Sequence, residues 1–226
     1  QAALNCQLKL EPREPSDEFN ADSDINKRSD EVFKEHVSDI KSTAGDSELT
    51  YTNRFTKAYP GSIHALEGYA RVGATGGTTQ PRDDGALVVT GADRILLFVD
   101  IRLLHDPEKS LIEEMKHSLE KLPADYGRLL NDHARLHGKL FNRMRLDLGG
   151  GADHRRTTEE LLELSNYENL NRALIEKEFD AGRYNIISCS GELPPTLQGV
   201  WGGTYVPGWA SDFTHNGNVP SAIASI

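Results

Sequence analysis

The sequence predicts a multidomain α+β protein, and three observations carry that expectation. Short alternating runs separated by glycine-containing turns are confined to the first 105 residues. From His105 onward, apolar residues recur at helical spacing. After Ser190 the composition shifts to glycine, aromatic and amide residues. Strands first and helices afterwards fit separate domains better than one mixed sheet.

The elements follow in order. Ala2 to Leu10 alternates weakly and reads as a strand. Glu11 to Lys41 is charged; within it Val32, Phe33, Val37 and Ile40 predict one helix over Asp30 to Ile40. Pro60-Gly61 marks a turn. Three strand-like runs follow at Gly68–Ala74, Ala86–Thr90 and Arg94–Ile101, with Gly76-Gly77 and Asp83-Asp84-Gly85 as hairpin turns between them. Asp106 as N-cap and Pro107 at the first helical position open a helix through Lys121. A second helix spans Asp125 to Met144, with Leu129, His133, Leu136 and Leu140 along one stripe. His133 there fits a core histidine better than a ligand. Gly149-Gly150-Gly151 is expected to be a linker, Thr157-Thr158-Glu159-Glu160 to open a further helix, and Leu170 to Ser188 to form the next. Glu159, Glu160 and Glu163 read as a solvated helix face.

Composition narrows the function classes. Of 226 residues, 37% are hydrophobic, enough for a core but with long polar stretches. The net charge of -10, without a local basic patch, argues against nucleic acid and anionic membranes as partners. The longest apolar runs, such as Ile95 to Val99, are too short to span a bilayer. Two cysteines, Cys6 and Cys189, exclude a disulfide-rich scaffold and a CxxC metal motif; a free buried thiol at Cys189 is the expectation. No cofactor is expected. The chain begins at Gln1 and stops at Ile226 within an apolar segment, so an incomplete protein is expected.

The chemistry gathers between Leu193 and Asn218, which holds both tryptophans of the chain, Trp201 and Trp209, with Gln198, Tyr205, Asp212, Phe213, His215, Asn216 and Asn218. Aromatic faces stack on the C–H faces of a pyranose, and amide, carboxylate and imidazole groups direct hydrogen bonds to its hydroxyls. Glycines allow close backbone approach. Asn216 and Asn218 lie two residues apart; if Thr214 to Val219 is extended, both amides point to one side and can hold a water. Hydrogen-bonded to a carboxylate from elsewhere, the pair could position that water for inverting hydrolysis. Each residue also has a structural alternative: the tryptophans as core plugs, Asp212 as a cap, the asparagines as turn formers, His215 as a solvated side chain.

The run AGRYNIISCSGELPPTLQGVWGGTYVPGWASDFTHNGN resembles family 95 of the glycoside hydrolases, inverting α-L-fucosidases with some α-L-galactosidases. Gly182-Arg183-Tyr184 matches the family's GRY helix. Leu193-Pro194, Leu197-Gln198-Gly199 and Trp201 match its LPxNLQGxW segment. Trp209, Ser211-Asp212-Phe213 and Asn216-Gly217-Asn218 match its WxSDYxxNIN segment. Upstream, ALEGYARVGATGG, LVVTGADRILLFV and YGRLLNDHARLHGKLFNRMRLDLGG follow the family's order, so the resemblance runs from about Tyr51 to Asn218. Departures stand at Thr196, where the family has Asn, at Thr214, where many members have His, and at Val219-Pro220-Ser221-Ala222-Ile223, where they read MNYWP.

The resemblance implies an N-terminal antiparallel β-sandwich over residues 1–105, a helical linker over 106–150 and, over 151–226, the opening helices of an (α/α)6 toroid. It implies Asn216 and Asn218 as the catalytic water holders. Trp201, Trp209, Asp212, His215 and Gln198 become the sugar-binding side chains, and the general acid and activating Asp lie past Ile226. The expected function is inverting hydrolysis of a terminal α-linked neutral sugar on an oligosaccharide or glycoconjugate glycan. The location is expected to be secreted or periplasmic. A fragment of this kind is expected to be inactive alone, with the remainder of the enzyme as a candidate partner chain. The alternatives are a non-catalytic carbohydrate-binding or scaffold fragment and a phosphorylase on a similar barrel; no basic cluster in the motif supports the latter.

Overall fold

The computed structural model describes residues 3–12, 31–57, 59–192, 194–196 and 212–223. It is an α+β protein of antiparallel sheets and helices. The described residues up to Leu129 form one compact unit and those from Leu130 onward a second, the division falling within one helix.

Among the described residues, seven strands build the first unit: β1 (Leu4–Leu8), β2 (Val37–Ala44), β3 (Glu48–Phe55), β4 (Ala65–Thr75), β5 (Thr78–Pro81), β6 (Leu87–Ala92) and β7 (Arg94–Leu104). They form a three-stranded sheet, β1-β6-β5, and a four-stranded sheet, β2-β3-β4-β7. Leu49, Ala70 and Val72 from the larger sheet share one core cluster with Leu87 from the smaller, and Leu8, Ala44 and Ile95 pack against it. The alternation along β3 sets this up: Leu49, Tyr51 and Asn53 point inward while their neighbours do not.

The strands expected at residues 68–74, 86–90 and 94–101 are present as β4, β6 and β7. The helix expected over Asp30 to Ile40 is shorter: only residues 31–36, a helix α1, are helical, and β2 begins at Val37. Pairing with β3, from Val37↔Phe55 to Ala44↔Leu49, overrides the helical spacing of four apolar residues. Asp83-Asp84-Gly85 does close a hairpin: β5 and β6 pair across it, and the Arg82 N–H donates to the Ala86 carbonyl at 2.8 Å. Gly76-Gly77 does not. It carries the chain from β4 in one sheet to β5 in the other, beside Gly91 near the end of β6, where the chain returns through Asp93 to the larger sheet. A Cβ on Gly77, at φ +66, would lie 2.2 Å from the Thr90 carbonyl oxygen, so only glycine fits where the two crossings meet.

The opposite face of the larger sheet holds α2 (Ile112–Glu120), with Met115 and Leu119 packed on Tyr69 and Phe98. The N-cap expected of Asp106 is not used. Asp106 instead closes its own turn, accepting from the Glu108 N–H at 3.0 Å. The helix starts later because Glu67 on β4, 2% exposed, accepts from the Leu111 N–H at 2.6 Å and the Ser110 hydroxyl at 3.1 Å. A buried carboxylate at a helix N-terminus satisfies orphan donors and complements the helix dipole. Four residues along β4, Arg71 donates to the Leu122 carbonyl at 3.0 Å, just past the other end of α2, and lies 4.2 Å over the Phe98 ring.

The second unit contains most of α3 (Tyr126–Phe141), a 3-10 turn (Gly151–Arg155), α4 (Thr158–Glu163), α5 (Arg172–Ser188) and α6 (Asn218–Ile223). Asp125 caps α3 by accepting from the Arg128 N–H at 2.8 Å. The motif at Thr157 forms a complete capping box with Glu160, so Glu160 has a definite local role rather than only a solvated one. Asn171 caps α5 through the Ala173 and Leu174 N–H groups. Leu161, Ala173 and Leu174 form the local core. His133 is exposed, which corrects its reading as a core histidine: no residue of α3 is fully buried, and its ring meets only His137, one turn on, among the described rings.

Candidate functional site

The C-terminal described segment runs from irregular backbone at 212–214 through a turn at 215–217 into α6. The Val219 N–H donates to the Thr214 carbonyl at 3.0 Å, and the Ser221 N–H to the Gly217 carbonyl at 3.0 Å. Thr214 to Val219 is therefore not extended. Local hydrogen bonding into the first turn of a helix wins, with Val219 buried to anchor it and Pro220 placed where its missing N–H costs little. Asn216 leaves from the turn, where its Oδ1 accepts from the Gly217 N–H at 2.9 Å, and Asn218 opens the helix. Both are exposed to solvent.

Asp212 and His215 are exposed as well. The Phe213 and His215 rings stack, nearly parallel at 7° with centroids 6.1 Å apart. This aromatic pair, followed in sequence by two carboxamides, has the chemistry to meet a sugar ring on its C–H face and its hydroxyls. Gln198, Trp201 and Trp209 lie outside the described residues.

Behind this segment in sequence, α5 carries Arg183, which is completely buried. Its Nη2 donates to the carbonyl oxygens of Leu140 at 3.2 Å and Phe141 at 2.9 Å, at the C-terminal end of α3. The guanidinium stands between the Phe141 and Phe179 rings at 5.8 and 5.9 Å. Carbonyls at a helix C-terminus lack intrahelical donors and carry partial negative charge, so a buried cation suits them. Tyr184, next in the chain, holds its ring 5.1 Å from that of His137 on α3.

Glu176, one turn into α5, organises the glycine run. Its Oε1 accepts from the Leu148 N–H and, at 3.3 Å, from the Gly150 N–H, while His154 Nε2 lies 2.5 Å from Oε2. These backbone donors, Leu148 first, hold its carboxyl below the usual value against the opposing effect of burial, and His154 adds to them. A Cβ on Gly150 would sit 2.8 Å from the Ala173 Cα. The glycines expected as a linker are thus a tightly seated turn. The functional reading from sequence did not single out Glu176. The one available signal was a carboxylate at helical spacing beneath Ala173 in a polar helix.

Among the described residues, no group of three or more His, Cys, Asp or Glu side chains could hold a metal ion, and no helix is long and apolar enough to cross a membrane. Both described cysteines are free, Cys189 buried and Cys6 partly so.

Residues 125–221 match the Glycosyl hydrolase family 95 catalytic domain. The probable alpha-fucosidase A of Aspergillus niger is 40% identical over 100 residues, 42% of this chain and 12% of that relative's length. The range matched by the family model contains every motif from Gly182 to Asn218.

Proposed function

We propose, from the family 95 match of residues 125–221, that this chain is the N-terminal part of a glycoside hydrolase of the α-L-fucosidase type. The observation that carries the reading is the placement of the Asn216-Gly217-Asn218 motif inside that match, with both asparagines open to solvent. The substrate is a terminal α-linked neutral sugar on an oligosaccharide or glycoconjugate, and the protein acts outside the cytoplasm, secreted or periplasmic.

In this reading the two sheets belong to a β-sandwich and the helices after Gly151 open an (α/α)6 toroid, with a helical linker between them. Asn216 and Asn218 hold the water that attacks the anomeric carbon. An amide oxygen is a weak base alone, so a carboxylate must draw on the amide N–H groups and a second carboxyl must protonate the leaving oxygen. Water attack from the face opposite the leaving group inverts the anomeric configuration. Trp201, Trp209, Asp212, His215 and Gln198 bind the sugar; Phe213, stacked on His215, extends that apolar wall. Because the backbone there turns into a helix, this reading requires the two amides to be brought together by side-chain rotation rather than by strand alternation.

Asn218→Ala in the natural full-length protein tests the assignment. A group acting on water in the transition state shows in kcat, and the expected loss is about a hundredfold or more with KM changed only a few-fold. Equal losses in turnover and sugar affinity would assign Asn218 to binding alone.

A further inference from the structure

The four sheet edges formed by the described residues of the first unit are not alike. Among the described residues, β2 carries a bulge between Val37 and Asp39 and charges at Asp39 and Lys41. On the smaller sheet, β1 is bulged between Leu4 and Cys6, and β5 has four residues ending in Pro81. Bulges, charges, shortness and proline are the devices that keep an edge from pairing with another chain. β7 has no bulge and no proline, and its central charges, Asp100 and Arg102, are paired with each other. It is eleven residues long and pairs with β4 in unbroken register from Ala65↔Leu104 to Thr75↔Arg94.

One face of β7 is apolar and open. Leu97, Val99, Ile101 and Leu103 alternate along it, 43%, 44%, 57% and 49% exposed. They continue the line of Ile95, which packs on the core shared by the two sheets. The other face carries Asp100 and Arg102, joined at 2.8 Å. We infer that the β7 edge is a two-fold interface, on which a second copy of this chain adds its own β7 antiparallel to form one eight-stranded sheet.

The occupant follows from the pattern around Ile101. With Ile101 on the two-fold axis, antiparallel pairing sets Asp100 opposite Arg102 of the second copy and Arg102 opposite its Asp100. Val99 then faces Leu103 of the second copy, Leu103 faces its Val99, and the two Ile101 side chains meet. Directly opposed unlike charges and opposed apolar pairs are the favourable cross-strand combinations. Centring on Asp100 instead would oppose like charges, and centring on Val99 or Leu103 would leave Asp100 and Arg102 without an opposed unlike charge, so pairing about Ile101 is the favoured register. Such an isologous contact closes on itself and leaves only the guarded β2 edges outside.

The test is the mass of the 226-residue chain in solution by light scattering over a range of concentrations. The expected result is a dimer of twice 25.0 kDa that dissociates on dilution. Ile101→Lys, at an exposed site, opposes two ammonium groups on the axis and should give a monomer with unchanged circular dichroism. Asp100→Arg should weaken the dimer about tenfold or more, since it sets like charges opposite at both symmetric positions. Arg102→Asp added to it should restore much of the affinity, which a merely misfolded variant would not do. A monomer at all concentrations, an open-ended aggregate, or a dimer indifferent to Ile101→Lys overturns the inference. The outcome is independent of whether the protein hydrolyses sugars.

Discussion

Arg183 on α5 and Phe141 on α3 are joined by a 2.9 Å hydrogen bond from the guanidinium to the backbone carbonyl, under a side chain that solvent does not reach. The bond ties the Gly182-Arg183-Tyr184 element to the C-terminal end of α3. Two stretches 42 residues apart in sequence thus belong to one packed unit.

Replacing Arg183 by Met keeps most of the volume and removes the donors. The C-terminal carbonyls of α3 then lose their buried partner. We expect a loss of about 3 kcal/mol, read from urea denaturation of the second unit. A loss below about 1 kcal/mol would mean that water reaches these carbonyls in the native state.

Glu176 gives an acid dependence with a defined sign. Its folded-state carboxyl lies below the ordinary 4.5, chiefly through the Leu148 N–H. A depressed folded value means that the stabilisation is fully present above the unfolded value and is lost as pH falls through the folded one. Stability of the second unit should therefore decline below pH 4.5, and Glu176→Gln should flatten that limb in thermal melts taken across it. An unchanged slope in the variant would remove Glu176 as the source.

Gly77→Ala should disrupt the sheet crossing. The added Cβ would be 2.2 Å from the Thr90 oxygen at a positive φ, and backbone cannot yield as a side-chain tip can. The expected cost exceeds about 1 kcal/mol, with the melt of the first unit lowered. Gly61→Ala is the control: it has φ +77 but nothing within 4 Å, so it should cost less.

The strands β4, β6 and β7 and the helices α2 to α5 were legible because their signals are local: alternation, glycine turns, caps. β2 and β3 were not. Val32, Phe33, Val37 and Ile40 imitate a helix, and Asn53 occupies an inward position that an apolar residue would have announced. The start of α2 was missed because its cap, Glu67, comes from a strand 44 residues earlier. In the candidate site, residue types were legible from composition, whereas side-chain direction was not. Whether Asn216 and Asn218 share a side depends on a turn and a helix start set by backbone bonds at Thr214 and Gly217.

The most direct measurement is proton NMR of the natural full-length protein acting on an aryl α-L-fucoside, with an aryl α-L-galactoside alongside. The account predicts hydrolysis in which the free sugar first forms as the β-anomer, the product of water attack with inversion. A sugar that binds without being hydrolysed, or one released first as the α-anomer, would contradict it.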